Sequence, residues 1–176
     1  DCESRADAST RRIHIQVNVC FGVVGLKKQQ LSDDCVGGFI VNAGPEAATI
    51  HVVPQAWFRN TWSWSDDDAP RPGMNLDSND GTILASHPEL GDYRLKSDGT
   101  PACLFCENET NFPRVFGSEA TTDHPKDAIN DAVVDGRADA VSAGQAGTKV
   151  GLHHVRTIEP GGETVIRVRM CHAESP

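Results

Sequence analysis

The chain has 176 residues and a formal net charge of −9, with 16 glycines and 10 prolines. This length fits one domain and is enough to bury a hydrophobic core without metal or disulfide staples. The acidic balance argues against nucleic acid and anionic membranes as partners, because both bind basic surfaces. No apolar run approaches the ~20 residues of a spanning helix, which also argues against a membrane partner.

The first part of the chain predicts strands on either side of an irregular stretch. Residues 1–12 are polar and predict a flexible N-terminus. Residues 13–19 alternate apolar and polar side chains, which predicts a half-buried strand. Residues 20–43 have a polar centre and no stable period, and they predict an insertion with one short strand at 39–42. The next strand is predicted at 48–53.

The central part predicts a long loop, several short strands and one helix. Residues 65–80 are rich in aspartate, proline and glycine and predict a loop. Asp80-Gly81 is a strong hairpin signal. Apolar residues at helical spacing, followed by Gly136, predict one short helix near residues 124–135. Further short strands are predicted at 82–85, 93–96 and 102–107.

The last part predicts two strands, 148–158 and 163–170, that form a hairpin around Pro160-Gly161-Gly162. Seven or eight short strands with a single helix indicate the all-β class, as an antiparallel β-sandwich. We expect one domain over residues 13–172, followed by a tail at 173–176.

Six cysteines permit three disulfides, but their density is too low for a disulfide-defined scaffold. Cys103 and Cys106 have CxxC spacing on a predicted strand, without the second ligand pair of a zinc site. We therefore expect no cofactor and no metal centre at these thiols, and the cellular compartment stays open.

The densest chemical signal is an aromatic cluster at residues 57–64, which holds all three tryptophans of the chain. If this segment is extended, Trp62 and Trp64 project from one face. Three interpretations are open: an interface with another domain, core packing, or direct contact with a sugar. The residues that would make interface or sugar contacts are Trp57, Arg59, Asn60, Trp62 and Trp64.

Carboxylates supply weaker candidates. Glu107 and Glu109 are the candidate pair for glycoside hydrolysis, but neighbours on one strand cannot flank a scissile bond. Asp77 and Asn79, or the aspartates at 66–68, are weak candidates for calcium binding. Asn108 begins an N-glycosylation sequon, which matters only if the chain is secreted.

Several strings resemble the N-terminal region of glucosidase-like glycoside hydrolases of family 63, whose members include mannosyl-oligosaccharide glucosidases. The most specific string is Trp-Phe-Arg-Asn-Thr-Trp-Ser-Trp at 57–64. The similarity runs over roughly residues 44–170, and its other strings are Gly-Pro-Glu-Ala-Ala-Thr at 44–49, Ser-His-Pro-Glu-Leu-Gly-Asp-Tyr at 86–93, Glu-Asn-Glu-Thr-Asn at 107–111, Lys-Asp-Ala at 126–128 and Gly-Thr-Lys at 147–149.

The resemblance implies a β-sandwich domain that precedes a catalytic (α/α) barrel. In that family the acid and base carboxylates belong to the barrel, which no part of this sequence matches. The first hypothesis is therefore a non-catalytic domain or fragment of such an enzyme, with the barrel of the parent chain as its partner. The alternatives are a free-standing carbohydrate-binding module that binds glucosides or oligosaccharides, and a small hydrolase of α-glucosides.

Overall fold

The computed structural model describes residues 13–20, 24–32, 35–63 and 70–173. The predicted flexible terminus at 1–12 lies outside the described residues, as do Trp64, the aspartates at 66–68 and, apart from Ala173, the predicted tail at 173–176.

The described residues form antiparallel strands in two sheets, which confirms the all-β class. One sheet has the strand order β1-β4-β10-β8, and the other has the order β2-β3-β11-β7-β6-β5-β9. The strands are β1 (Ile13–Cys20), β2 (Val24–Ser32), β3 (Cys35–Asn42), β4 (Ala48–Phe58), β5 (Gly73–Asp77), β6 (Thr82–His87), β7 (Gly91–Ser97), β8 (Ala102–Cys106), β9 (Ala146–Gly147), β10 (Lys149–Ile158) and β11 (Glu163–His172).

The core lies between the two sheets, because two of the three clusters of buried residues in the described part of the chain take side chains from both sheets. Around Phe58 and Phe105 of the four-stranded sheet pack Met74, Ile83 and Leu95 of the seven-stranded sheet. A second cluster joins Ile50, Val52 and Ile158 of the four-stranded sheet to Ile40 and Ile166 of the other. Burial of these apolar faces is the main force that holds the sheets together.

Helical residues are few. Helix α2 (Ala128–Val134) lies within the predicted range 124–135. Its residue Ile129 packs against Val53 and Cys106 of the four-stranded sheet. A second helix, α1 (Phe112–Phe116), was not predicted; Asn111 caps it and Gly117 ends it in the left-handed region. A 3-10 turn follows α2 at Ala138–Ala140. Among the described residues, no helix has the length and apolarity needed to span a membrane.

Two segments contain more strand than the sequence indicated. The stretch 20–43, predicted to hold one short strand, holds both β2 and β3 at the edge of the seven-stranded sheet. Residues 73–77, predicted as part of a loop, form β5 and pair with β6 and β9. The flanking prolines and aspartates masked this strand, although Met74 is buried and Leu76 packs against the core.

The hairpin predicted around Pro160-Gly161-Gly162 is wrong, because β10 and β11 belong to different sheets. The turn between them is bonded to β3 by Asn42. The Asn42 backbone donates to the Gly162 carbonyl at 3.0 Å and accepts from the Gly161 nitrogen at 2.9 Å. The Asn42 side chain donates to the Ile158 carbonyl at 2.8 Å. These bonds carry the chain from one sheet to the other.

Candidate functional site

Three segments that are far apart in the sequence, around residues 58–60, 108 and 148, meet where β4 ends. The Asn108 side chain donates to the Phe58 carbonyl at 2.8 Å, and the Asn108 backbone nitrogen donates to Thr148 Oγ1 at 2.8 Å. Asn60 Nδ2 donates to the Asn108 carbonyl at 3.1 Å. The Asn108 amide is therefore used inside the fold, and a glycan on its nitrogen would compete with the bond to Phe58.

A charged cluster lies beside this junction. The Arg71 Nη2 donates to Glu107 Oε2 at 2.7 Å and to Glu109 Oε1 at 2.5 Å. Thr148 donates to the same Glu107 oxygen at 2.7 Å, and the Trp62 indole donates to Glu109 at 3.2 Å. The Arg71 guanidinium also covers the Trp62 ring, 5.0 Å from its centroid. We call these five residues the Arg71 cluster.

The two glutamates are arranged around a shared partner, the Arg71 guanidinium. Both carboxylates bind one nitrogen of one guanidinium, so they lie on the same side of it. A hydrolase needs one carboxyl on each side of the scissile bond. This geometry supports a structural ion-pair cluster at Glu107 and Glu109.

The aromatic segment is not extended throughout, in contrast to the extended conformation considered from the sequence for residues 57–64. Strand β4 ends at Phe58, and Trp62 lies in the turn that follows. Lys149 Nζ lies 5.9 Å from the Trp57 ring centroid, and burial lowers the pKa of Lys149. Arg59 is exposed and Asn60 is half-buried. Trp57 and Trp62 are thus each approached by a cation, which leaves less indole surface for a sugar.

An open hollow of about 810 Å³ lies next to the Arg71 cluster, and Arg71, Glu107 and Thr148 line it. Its other polar lining residues include Asn75 of β5, His87 of β6 and Asp92 of β7, all strands of the seven-stranded sheet. Three prolines and Met74 add apolar surface. Its size falls within the range of small-molecule sites.

Two polar side chains of the hollow are held by hydrogen bonds. Asp92 Oδ1 accepts from the Ser86 hydroxyl at 2.6 Å. His87 Nδ1 accepts from the backbone nitrogens of Glu89 and Leu90 at 3.1 and 3.2 Å, which places the ring proton on Nε2. Such preorganisation lowers the entropic cost of binding.

A short apolar surface follows the Arg71 cluster in the chain. Helix α1 exposes Phe112, Val115 and Phe116, and Phe116 is 67% exposed. The helix begins three residues after Glu109, and Arg114 fixes it to α2 by an ion pair with Asp131 at 2.7 Å. We call the exposed side chains Phe112, Val115 and Phe116 the α1 face.

The candidate metal ligands form a turn. Asp77 Oδ1 accepts from the backbone nitrogen and the side chain of Asn79, at 2.9 and 2.8 Å, and the Gly81 nitrogen donates to the Asp77 carbonyl. Within the described ranges, no three His, Cys, Asp or Glu side chains are grouped as metal ligands.

The CxxC thiols belong to separate clusters of the core. Cys103 packs beside Leu152, whereas Cys106 packs beneath Ile129 of α2. Positions three apart on a strand face opposite ways, so the pair cannot chelate one metal. Burial raises the pKa of Cys106 to about 12, and Cys103, Cys106 and Cys171 are free thiols.

Sequence reasoning missed Arg71, His87, Asp92 and Thr148 as site residues. Arg71 belongs to a segment predicted as loop, and its partner Glu107 is 36 residues away. The one available signal was that His87, Asp92 and Thr148 fall within strings that carry the resemblance.

No protein-family model matches the chain. The chain is 26% identical over 152 residues to the uncharacterized protein YMR196W of Saccharomyces cerevisiae. The match covers 72% of this chain and 14% of the yeast protein. The chain thus corresponds to a small part of the relative that it matches.

Proposed function

We propose that the chain is a non-catalytic β-domain of a longer, glucosidase-like glycoside hydrolase, and that the α1 face binds the helical catalytic domain of the same protein. The observation that carries this proposal is the exposure of Phe112, Val115 and Phe116 on one short helix that begins three residues after Glu109 of the Arg71 cluster. Aromatic side chains next to arginine and polar groups are typical of protein interfaces.

Two further observations support a partner within the same polypeptide. The yeast relative is several times longer than the matched region, because the match covers only 14% of it. Helix α1 is also held rigidly, since Arg114 binds Asp127 and Asp131 of the α2 segment. A fixed apolar helix loses little entropy on docking.

The non-catalytic part of the proposal is supported by the glutamate geometry. Glu107 and Glu109 share the Arg71 guanidinium and do not face each other across a substrate. We therefore assign the hydrolytic carboxylates to the barrel that the resemblance implies.

The test is a binding measurement between two separately produced parts of the parent protein: this chain and the region that follows it in the reading frame. We expect a complex that Phe112→Ser/Phe116→Ser weakens at least tenfold, the equivalent of about 1.4 kcal/mol. Val155→Ser is the matched control, because Val155 is a 47% exposed apolar side chain on strand β10 and does not belong to the α1 face. Circular dichroism checks that each variant is folded.

Three results would overturn the proposal: a reading frame without a helical domain, the absence of a complex, or a complex that both variants bind equally well. The first result would instead favour a free-standing module.

A further inference from the structure

We propose that the hollow beside the Arg71 cluster is a binding site for a neutral polyhydroxylated ligand, a saccharide, held by Asp92, Glu107, Arg71 and Asn75. This inference does not depend on the partner domain proposed above, because every residue it uses belongs to this chain.

The first argument is unused hydrogen-bonding capacity. From described side chains, Glu107 accepts two bonds, both at Oε2, and Asp92 accepts one bond at Oδ1. No described residue donates to Glu107 Oε1 or Asp92 Oδ2, and the Asn75 amide makes no bond with a described residue. In its hydrogen bonds to described residues, Arg71 uses only Nη2. The wall therefore offers separate acceptors and donors to a ligand.

The second argument is charge. One guanidinium, Arg71, is set against Glu107 and Asp92 in the wall and Glu109 behind it. This balance repels phosphates and carboxylates. A neutral ligand with many hydroxyls can donate to the carboxylates and accept from Arg71 and Asn75 without any cost of like charge.

The third argument is shape and surface. The hollow has a volume of about 810 Å³, which admits more than one sugar ring, and it is open to solvent on one side. Prolines and Met74 form rigid apolar patches among the polar groups. Sugar rings present C–H faces and hydroxyl edges, and this mixed surface matches both.

The test is a titration of the full chain with a panel of neutral oligosaccharides of glucose, mannose and galactose. Backbone amide NMR monitors the binding. We expect saturable shifts at residues 71–75, 86–92 and 147–148 for at least one sugar. Asp92→Asn should weaken this binding about tenfold or more. Glu107→Gln should do the same, but it also changes bonds to Arg71 and Thr148, so its fold must be checked.

Asp98→Asn is the matched control, because Asp98 is an exposed carboxylate paired with Arg167 outside the hollow. It should bind like the original chain. The proposal is overturned if no sugar of the panel binds, if the shifts fall away from the hollow, or if Asp92→Asn binds as tightly as the Asp98→Asn control. Any of these results would leave the proposed partner domain untouched.

Discussion

Asn42 shows how much one buried side chain can contribute at a crossing between sheets. Its Nδ2 donates to the carbonyls of Glu46 and Ile158, both at 2.8 Å, and its Oδ1 accepts from the Gly44 nitrogen. The residue is 4% exposed, so water cannot replace these partners easily. The side chain therefore holds the turn after β10 against the end of β3.

We predict that Asn42→Ala lowers the free energy of unfolding by at least about 2 kcal/mol, because it removes three hydrogen bonds and leaves polar groups buried. Urea denaturation of the purified chain measures this. Asn79→Ala is the control: Asn79 lies in an exposed turn, and its loss should cost under about 1 kcal/mol. Equal losses for the two variants would contradict the role of Asn42.

His154 makes the stability depend on pH. Burial, and then the charge of Arg156, lower the pKa of His154 to about 4. The groups around it are Ser97, 3.0 Å from Nε2, and the side chains of Arg156, His153 and Asp98. The unfolded chain binds a proton here near pH 6.5, whereas the folded chain does not. Stability is therefore complete above pH 6.5 and falls as the pH drops toward 4.

We predict that between pH 7.5 and 4.5 the chain loses up to about 3 kcal/mol more stability than His154→Gln, which lacks this titration. Urea denaturation at the two pH values gives both numbers, and the other titrating groups cancel in the difference. If the two proteins lose the same amount, His154 is not protonated on unfolding in this range.

At the scale of the elements, β9 and β8 show a close approach that needs glycine. A Cβ on Gly147 of β9 would lie 2.3 Å from the Cys106 carbonyl oxygen of β8, well inside contact distance. Strand β9 belongs to the seven-stranded sheet and β8 to the four-stranded sheet. Gly147 thus brings the two sheets together at the hollow that it also lines.

We predict that Gly147→Ala lowers the free energy of unfolding by about 1–3 kcal/mol, because the backbone must shift to make room. Gly73→Ala is the matched control: Gly73 also lines the hollow, and a Cβ there meets nothing within 4 Å. It should change stability by no more than about 0.5 kcal/mol. Thermal or urea unfolding of both variants measures these changes in the free energy of unfolding. Equal stabilities of the two variants would contradict the predicted clash.

The elements also show what the sequence could predict. Alternation at 13–19 and helical spacing at Ala128 and Ile129 predicted β1 and α2, because these are local consequences of burying one face. The turn at 160–162 was found, but turn residues fix only local geometry and do not say which sheet the next strand joins. The bonds from Asn42 decide that, and they span more than a hundred residues of sequence.

The candidate site was less predictable for the same reason. The glutamates of the 107–111 string were visible in the sequence, but their partner Arg71 lies in a segment with no periodic pattern. Nothing local to Arg71 indicates that it binds Glu107, Glu109 and Trp62 together. The hollow exists only because β5, β6 and β9 end beside that cluster.

For the whole molecule, we assign a docking surface to this chain and the hydrolytic carboxylates to the barrel of the longer protein. We predict that the chain alone does not hydrolyse chromogenic α-glucosides, because Glu107 and Glu109 share one guanidinium instead of flanking a bond. An absorbance assay with such a chromogenic substrate checks this. Turnover that disappears in Glu107→Gln but survives in Asp98→Asn would show that the chain carries catalytic carboxylates after all.

Docking of the α1 face is tested most directly by hydrogen exchange at the amides of Phe112–Phe116, compared between this chain and the full-length parent protein. Exchange slows where a partner covers a surface. We expect strong added protection at these amides in the parent protein, and unchanged exchange around Val155 on β10. Identical exchange at the α1 face in the two proteins would contradict the proposed docking.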